Sequence, residues 1–218
     1  MALVVALAIS AIFTGSVYSD ILYANQYANS GISSMYTITG ATENTTTYDF
    51  SSGAGNDRWA YRNGVGTNPP TANNLPSTEF NPAMYTRISA DDGSFQSERA
   101  GIWYYAAHRF VFHIYESNVT SIDVLWNGIG SHDIFTDGAA LYIWNYTNSS
   151  YELLDSNSSA AEIYLGGNIS SDAGNYIGND SNLTLLVVQN APSFRFIWRF
   201  YSRLQTDYVK VDITYTGG

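Results

Sequence analysis

Cysteine is absent from all 218 residues, which excludes a disulfide framework, a thiolate metal cage and a cysteine nucleophile together. Cationic side chains are scarce, with 9 Lys plus Arg against 19 Asp plus Glu and a formal net charge of -10. A nucleic-acid partner is therefore excluded, since phosphate contacts need clustered cations, and anionic membrane surfaces are disfavoured. Histidine is limited to three residues. No Gly-x-Ser-x-Gly elbow accompanies them, so no nucleophilic triad can be drawn. Glu79, Glu98, Glu116, Glu152 and Glu162 are scattered among loops and strand ends without pairing, and the chain is read as non-enzymatic. No organic cofactor is expected.

What is present is tyrosine, 18 residues of it, with abundant Thr, Ser, Asn and Gly, the surface chemistry of exported β proteins. Asn-x-Ser/Thr sequons fall at Asn44, Asn118, Asn145, Asn148, Asn157, Asn168, Asn179 and Asn182. They mark candidate sites for covalent N-glycans on surface loops.

Met1 to Ser19 carries no charge and no Lys or Arg precedes Arg58, so the cationic region that opens a secretory signal is missing. The reading is a mature chain whose basic leader, upstream of Met1, has been removed. Met1 to Tyr18 is apolar around the full circumference of a helix, which requires burial on all sides. Ile21, Ala24, Ala28, Ile32 and Met35 then recur at helical spacing, giving an amphipathic continuation. One helix of about 34 residues would be on the order of 50 Å long, and small residues at Ala2, Ala6, Ser10 and at Ala11, Gly15, Ser19 let helix backbones approach closely.

After Gly40 the helical period vanishes. Short aromatic or β-branched runs alternate with Gly, Asn, Asp, Pro and Ser clusters, the pattern of an antiparallel β-sandwich. Gly64 to Pro82, with Pro69, Pro70 and Pro76, reads as a long surface loop. In Ala107 to Tyr115 the set His108, Phe110, Phe112 and Ile114 shares one face and belongs in the core. Ile122, Val124 and Trp126 form a second such set. Leu141 to Tyr146 is an aromatic-rich strand, and Leu183 to Val188, apolar on both faces, is a central one. Phe194, Phe196, Trp198 and Phe200 alternate with Arg195, Ile197, Arg199 and Tyr201, while Val209, Val211 and Ile213 alternate with Tyr208, Lys210 and Asp212. Both runs are expected to be strands with one buried face.

On the hydrophobic helix and the β-rich remainder, the chain resembles the archaeal type IV filament proteins, the family of adhesive pilins and archaellins. The resemblance implies an α+β fold: residues 1–40 a long apolar helix in the fibre core, residues 41–218 a jelly-roll-like antiparallel sandwich head. It further implies an extracellular cell-surface filament, a helical homopolymer of identical subunits for adhesion, with membrane contact only before assembly. The subunit interface would then be Leu3, Val4, Val5, Leu7, Ile9, Ile12, Phe13, Val17, Tyr18, Ile21 and Leu22. An acidic residue common near the start of bacterial relatives has no counterpart, because Val5 and its neighbours are apolar, which leaves packing to set subunit register.

Other readings stay open. Trp59, Tyr61, Trp103, Tyr104 and Tyr105 suit a sugar-binding face, a subunit contact or core beneath loops, so the alternative function is a membrane-anchored, lectin-like carbohydrate-binding module. Asp91 with Asp92, and Asp133 with Asp137, can supply oxygens to a structural calcium ion, and the same residues are ordinary turn formers. His108 and His113 point to opposite faces of one strand and cannot share a metal.

Overall fold

The computed structural model describes residues 42–72 and 75–217. The compact unit spans Asn44–Thr216. The described residues form β1 (Glu43–Asp49), β2 (Arg58–Val65), β3 (Thr78–Glu79), α1 (Pro82–Arg87), β4 (Gln96–Arg99), β5 (Tyr105–His113), β6 (Val119–His132), β7 (Ala139–Asn145), β8 (Ser150–Asn157) and β9 (Ile163–Ile169). A 3-10 turn (Ala173–Tyr176) precedes β10 (Asn182–Gln189), β11 (Phe194–Arg195), β12 (Arg199–Phe200) and β13 (Ser202–Thr216).

One sheet has the order β1-β13-β6-β9, with β4 also paired to β13, and the other the order β3-β2-β5-β10-β7-β8. The described pairings are antiparallel. The two sheets bury one core between them, with Trp126, Leu165, Val209, Val211 and Ile213 from the first and Phe110, Phe112, Leu141, Ile143 and Leu185 from the second. The class is therefore an all-β sandwich, which corrects the α+β expectation for these residues. The described α-helix is a single six-residue element. Its start is set locally, Asn81 capping the Met84 N–H and Pro82 occupying the first turn, where a missing donor costs nothing. No helix among the described residues is long and apolar enough to cross a membrane. The apolar helix expected over residues 1–40, with the interface residues Leu3, Val4, Val5, Leu7, Ile9, Ile12, Phe13, Val17, Tyr18, Ile21 and Leu22, lies outside the described residues.

Alternation places the core as the chain's pattern requires. His108, Phe110 and Phe112 are fully buried on one side of β5, while Arg109, Val111 and His113 face outward and are partly exposed. β10 is apolar on both faces because its outer side, at Leu186 and Val188, joins Val65, Ala107, Ala140 and Tyr142 in a second buried cluster against Leu75 and Tyr105. Leu75 comes from the segment expected to be a surface loop. The stretch from 64 to 82 is not one loop, since Gly64 and Val65 complete β2, Thr78–Glu79 form β3 and Pro82 opens α1.

Phe194 to Tyr201 departs further from expectation. Instead of one strand with a buried face, it is a tight hairpin in which Phe194 pairs with Phe200 and Arg195 with Arg199. Phe196, Ile197 and Trp198 form its tip, exposed to 76%, 75% and 73%. Three consecutive apolar residues cannot all point to one side of a strand, and here the chain reverses at them, the Phe196 N–H donating to the Trp198 carbonyl at 3.1 Å.

Candidate functional site

The outer face of the six-stranded sheet is its most chemically distinctive surface. Because side chains alternate along each strand, the register of β2, β5, β10, β7 and β8 places Tyr61 beside Arg109, Trp59 beside Val111, Val111 beside Thr184 and Trp144 beside Tyr151. Arg109, Trp144, Tyr146, Tyr151 and Thr184, walled by Ala72 and Leu75, line a shallow depression of about 150 Å³. Trp144 meets Tyr151 edge-to-face at 4.9 Å between ring centroids and Tyr146 at 6.4 Å. These contacts fix the ring planes, since aromatic pairs favour edge-to-face geometry. Burial pushes the Tyr151 and Tyr146 phenols up, with the Thr184 hydrogen bond opposing the shift at Tyr146. Both are neutral donors in ordinary conditions.

Arg109 stands at the centre of this face. Its guanidinium lies 4.3 Å from the Tyr61 ring centroid, a cation–π contact. Its Nε is buried without a hydrogen-bond partner, and no described carboxylate forms an ion pair with it. A cation among aromatic rings, with no acid to neutralise it, is equipped to receive an acceptor from outside the chain. Neighbouring Arg62 is different: its Nη1 lies 3.4 Å from Glu98 Oε2, and burial raises the Glu98 carboxyl while Arg62 opposes that rise.

A second aromatic group sits at one end of the sandwich. Trp103 and Phe135 both meet Phe194 edge-to-face, at 5.3 and 5.9 Å, at the base of the exposed hairpin. Of the aromatic residues singled out in the sequence, Trp59 and Tyr61 thus lie on the sheet face. Trp103 and Tyr104 lie exposed in the turn before β5, and Tyr105 opens β5 and packs on the second cluster. Trp144, Tyr146, Tyr151 and Arg109 escaped notice as a group. Arg109 comes from β5, Trp144 and Tyr146 from the end of β7 and Tyr151 from β8, and sheet order makes them neighbours.

The carboxylates considered for calcium each have hydrogen-bond partners within the chain. Asp92 caps its own turn, accepting from the Ser94 N–H at 2.9 Å. Asp137 accepts from the His132 N–H at 2.8 Å. Asp133 pairs with Arg203 and accepts from the Tyr201 N–H. Desolvation opposes ionisation there, but these donors hold the carboxyl below the usual range. Asp91 alone joins a multidentate group, with Glu162 and Asp207, in which one ligand oxygen from each lies within 4.8 Å of the others.

Among the sequons, Asn44, Asn118, Asn148, Asn157, Asn168 and Asn179 are exposed and Asn182 is partly exposed. Asn145 is 4% exposed, its Nδ2 donating to Glu152 Oε1 and its Oδ1 accepting from the Asn148 N–H. That residue is a strand-end brace whose amide is engaged within the chain. His108 is buried against Thr206. His132 is likewise occupied, with the Ile134 and Phe135 N–H groups on Nδ1 and the Pro192 carbonyl at Nε2.

Fold and site together define an all-β, two-sheet module with an aromatic, arginine-centred face. The chain belongs to the family described as "Uncharacterized protein, C-terminal domain" (AF_1625_C), whose model matches residues 55–215. It is 34% identical over 112 residues to an "Uncharacterized protein" of Archaeoglobus fulgidus, a match covering 50% of this chain and 18% of that one. The matched segment is thus less than a fifth of the relative's length. Among solved structures it is similar to a carbohydrate-binding module specific for non-crystalline cellulose, CBM28, at 16% identity, 53% coverage of this chain, 78% of that chain and a TM-score of 0.26.

Proposed function

We propose that this chain is a carbohydrate-binding module whose ligand lies across the outer face of the six-stranded sheet. The observation that carries this reading is Arg109, unpaired with any described carboxylate and set between Tyr61 and the Trp144–Tyr146–Tyr151 group. Sugar rings present apolar C–H faces that pack on aromatic planes, and hydroxyl or carboxylate oxygens that accept from a guanidinium. The depression is smaller than the roughly 300–1,000 Å³ sites that enclose a small molecule, so it suits one ring of a longer chain. From Tyr61 on β2 to Tyr151 on β8 the face crosses four strand spacings, on the order of 19 Å, enough for an oligosaccharide. The decisive experiment is a glycan array probed with the intact chain, followed by titration of the best ligand. No binding to any glycan, or binding unaltered by Arg109→Ala and Trp144→Ala, sinks the reading.

A filament-subunit role is a second reading, favoured by the exposed Phe196–Ile197–Trp198 tip and by the uncharged run Met1 to Ser19. Contiguous exposed apolar groups mark association surfaces, and repetition of one non-closing contact produces a fibre. Extracellular placement and N-glycans on the exposed sequons accompany either reading. Negative-stain micrographs of intact protein in detergent-free buffer separate them: polymers support the filament, and dispersed single particles remove it.

A further inference from the structure

We infer that Asp91, Glu162 and Asp207, with the Asn127 amide, form a binding site for a hard divalent cation of the calcium class. The site lies on the five-stranded sheet, apart from the aromatic face, and does not depend on the sugar-binding reading.

Four chain segments build it. Asp207 is the extra residue of a β-bulge, because β13 pairs Thr206 with Gly128 and Tyr208 with Asn127 and leaves no partner for the residue between. A bulge re-aims the side chain it inserts. Here it turns a carboxylate inward, for Asp207 is fully buried. Its Oδ2 accepts from the Gly93 N–H at 2.8 Å, and its Oδ1 is buried with no partner. Asp91 comes from the turn that contains Gly93. Glu162 immediately precedes β9, whose first pairings, Ile163 with Gly128 and Tyr164 with Asn127, bring it to the bulge.

A buried carboxylate with one hydrogen bond, beside two further acids, is costly unless a positive charge accompanies it. No described Lys or Arg forms an ion pair with any of the three. Asn127 gives an independent indication. It is fully buried, its Nδ2 lies 3.1 Å from Asp91 Oδ1, and its Oδ1 has no partner. On ion binding, rotation of the amide by half a turn would exchange its donation to Asp91 and Tyr164 for a carbonyl oxygen at the same point. The Tyr164 hydroxyl donates to Asp91 Oδ2 at 3.0 Å, orienting the carboxylate as outer partners of metal ligands do.

The donor set is all oxygen, which selects calcium, magnesium or manganese over zinc and copper. The 4.8 Å limit on the spacing of the ligand atoms is about twice a calcium–oxygen distance of roughly 2.4 Å. Three carboxylates and one amide leave the remaining calcium positions to water. The ion would tie the turn around Asp91 to β13 and β9.

The test uses intact protein freed of metal with a chelator. Calcium chloride should raise the thermal midpoint, with magnesium less effective, and terbium should show luminescence sensitised through nearby Tyr164 and Trp126 that calcium displaces. Glu162→Gln, at an exposed position, should need on the order of tenfold more calcium for the same shift, in line with the dependence of affinity on ligand charge. Asp207→Asn should abolish the response and, in chelator, melt no lower than the parent. If Asp207→Asn fails to fold, Glu162→Gln decides. A parent midpoint indifferent to calcium, or a shift undiminished in the variants that fold, overturns the assignment.

Discussion

The Nδ1 of His108, on β5, lies 2.8 Å from the hydroxyl oxygen of Thr206, on β13, so a side-chain hydrogen bond joins the two sheets inside the core. The Trp126 indole donates to the same hydroxyl at 2.9 Å. One hydroxyl thus serves both buried rings, accepting from the indole and bonding the imidazole Nδ1, whose role follows its tautomer. Thr206→Val keeps the shape and strands both partners, and should cost about 2–4 kcal/mol, one buried group of roughly 1–3 kcal/mol plus the lost bond. Thr206→Ser should retain most of that. Urea denaturation of the two variants measures the difference, and equal losses would show that the hydroxyl is incidental.

The same histidine predicts an acid dependence. Burial lowers the His108 pKa to about 3, with the nearby Arg62 charge adding to the shift. An unfolded chain titrates this group near 6.5, so below that pH the unfolded state takes up a proton that the folded state refuses. Stability attributable to His108 is complete above about 6.5 and declines by roughly 1.4 kcal/mol per pH unit as pH falls toward 3. From pH 7 to pH 5 the loss is about 2 kcal/mol. His108→Gln should flatten the urea-midpoint profile over this interval, and an unchanged slope would assign it to other groups.

On the sheet face, Arg109→Ala and Trp144→Ala should each weaken binding of the best array glycan by roughly tenfold, equivalent to about 1.4 kcal/mol. Trp198→Ser, at the hairpin tip, should leave that affinity unchanged and, on the filament reading, reduce self-association. Isothermal titration and sedimentation velocity on the same preparations separate the two effects.

Two glycines make a paired test of packing. A Cβ on Gly130 would lie 2.0 Å from the Gly138 carbonyl oxygen, whereas one on Gly174 would meet nothing within 4 Å. The close approach carries the Gly138 N–H to Gly130 carbonyl bond of 2.8 Å that closes the turn between β6 and β7. Gly130→Ala should destabilise by about 1–3 kcal/mol through forced backbone movement. Gly174→Ala should be neutral or stabilising by up to about 1 kcal/mol through the unfolded chain. Thermal melts read both directly.

Legibility followed local pattern. The alternation of His108, Phe110 and Phe112 with Arg109, Val111 and His113 identified β5 and its buried face, because a strand's side-chain period is a property of the backbone. The doubly apolar Leu183 to Val188 run likewise announced a central strand. Phe194 to Phe200 misled because alternating phenylalanines and arginines satisfy the same template. What they lack in the folded chain is an opposing sheet, so the segment pairs with itself and leaves Trp198 in solvent. Asp207 was hidden in a strand whose alternation is interrupted by a bulge, a feature set by the partner strand β6.

By itself, the order of residues determined the strand-rich character of the described chain, the faces of its longest strands, the absence of thiol and disulfide chemistry and the shortage of cations. These depend on neighbours a few positions apart. The tertiary structure decided the rest: that Arg109 stands among Trp144, Tyr146 and Tyr151, that Asn145 is a brace, and that Asp91, Glu162 and Asp207 converge. Such groupings arise from strand order and register, which reflect the burial of one shared core by both sheets rather than any local preference of the residues that become neighbours.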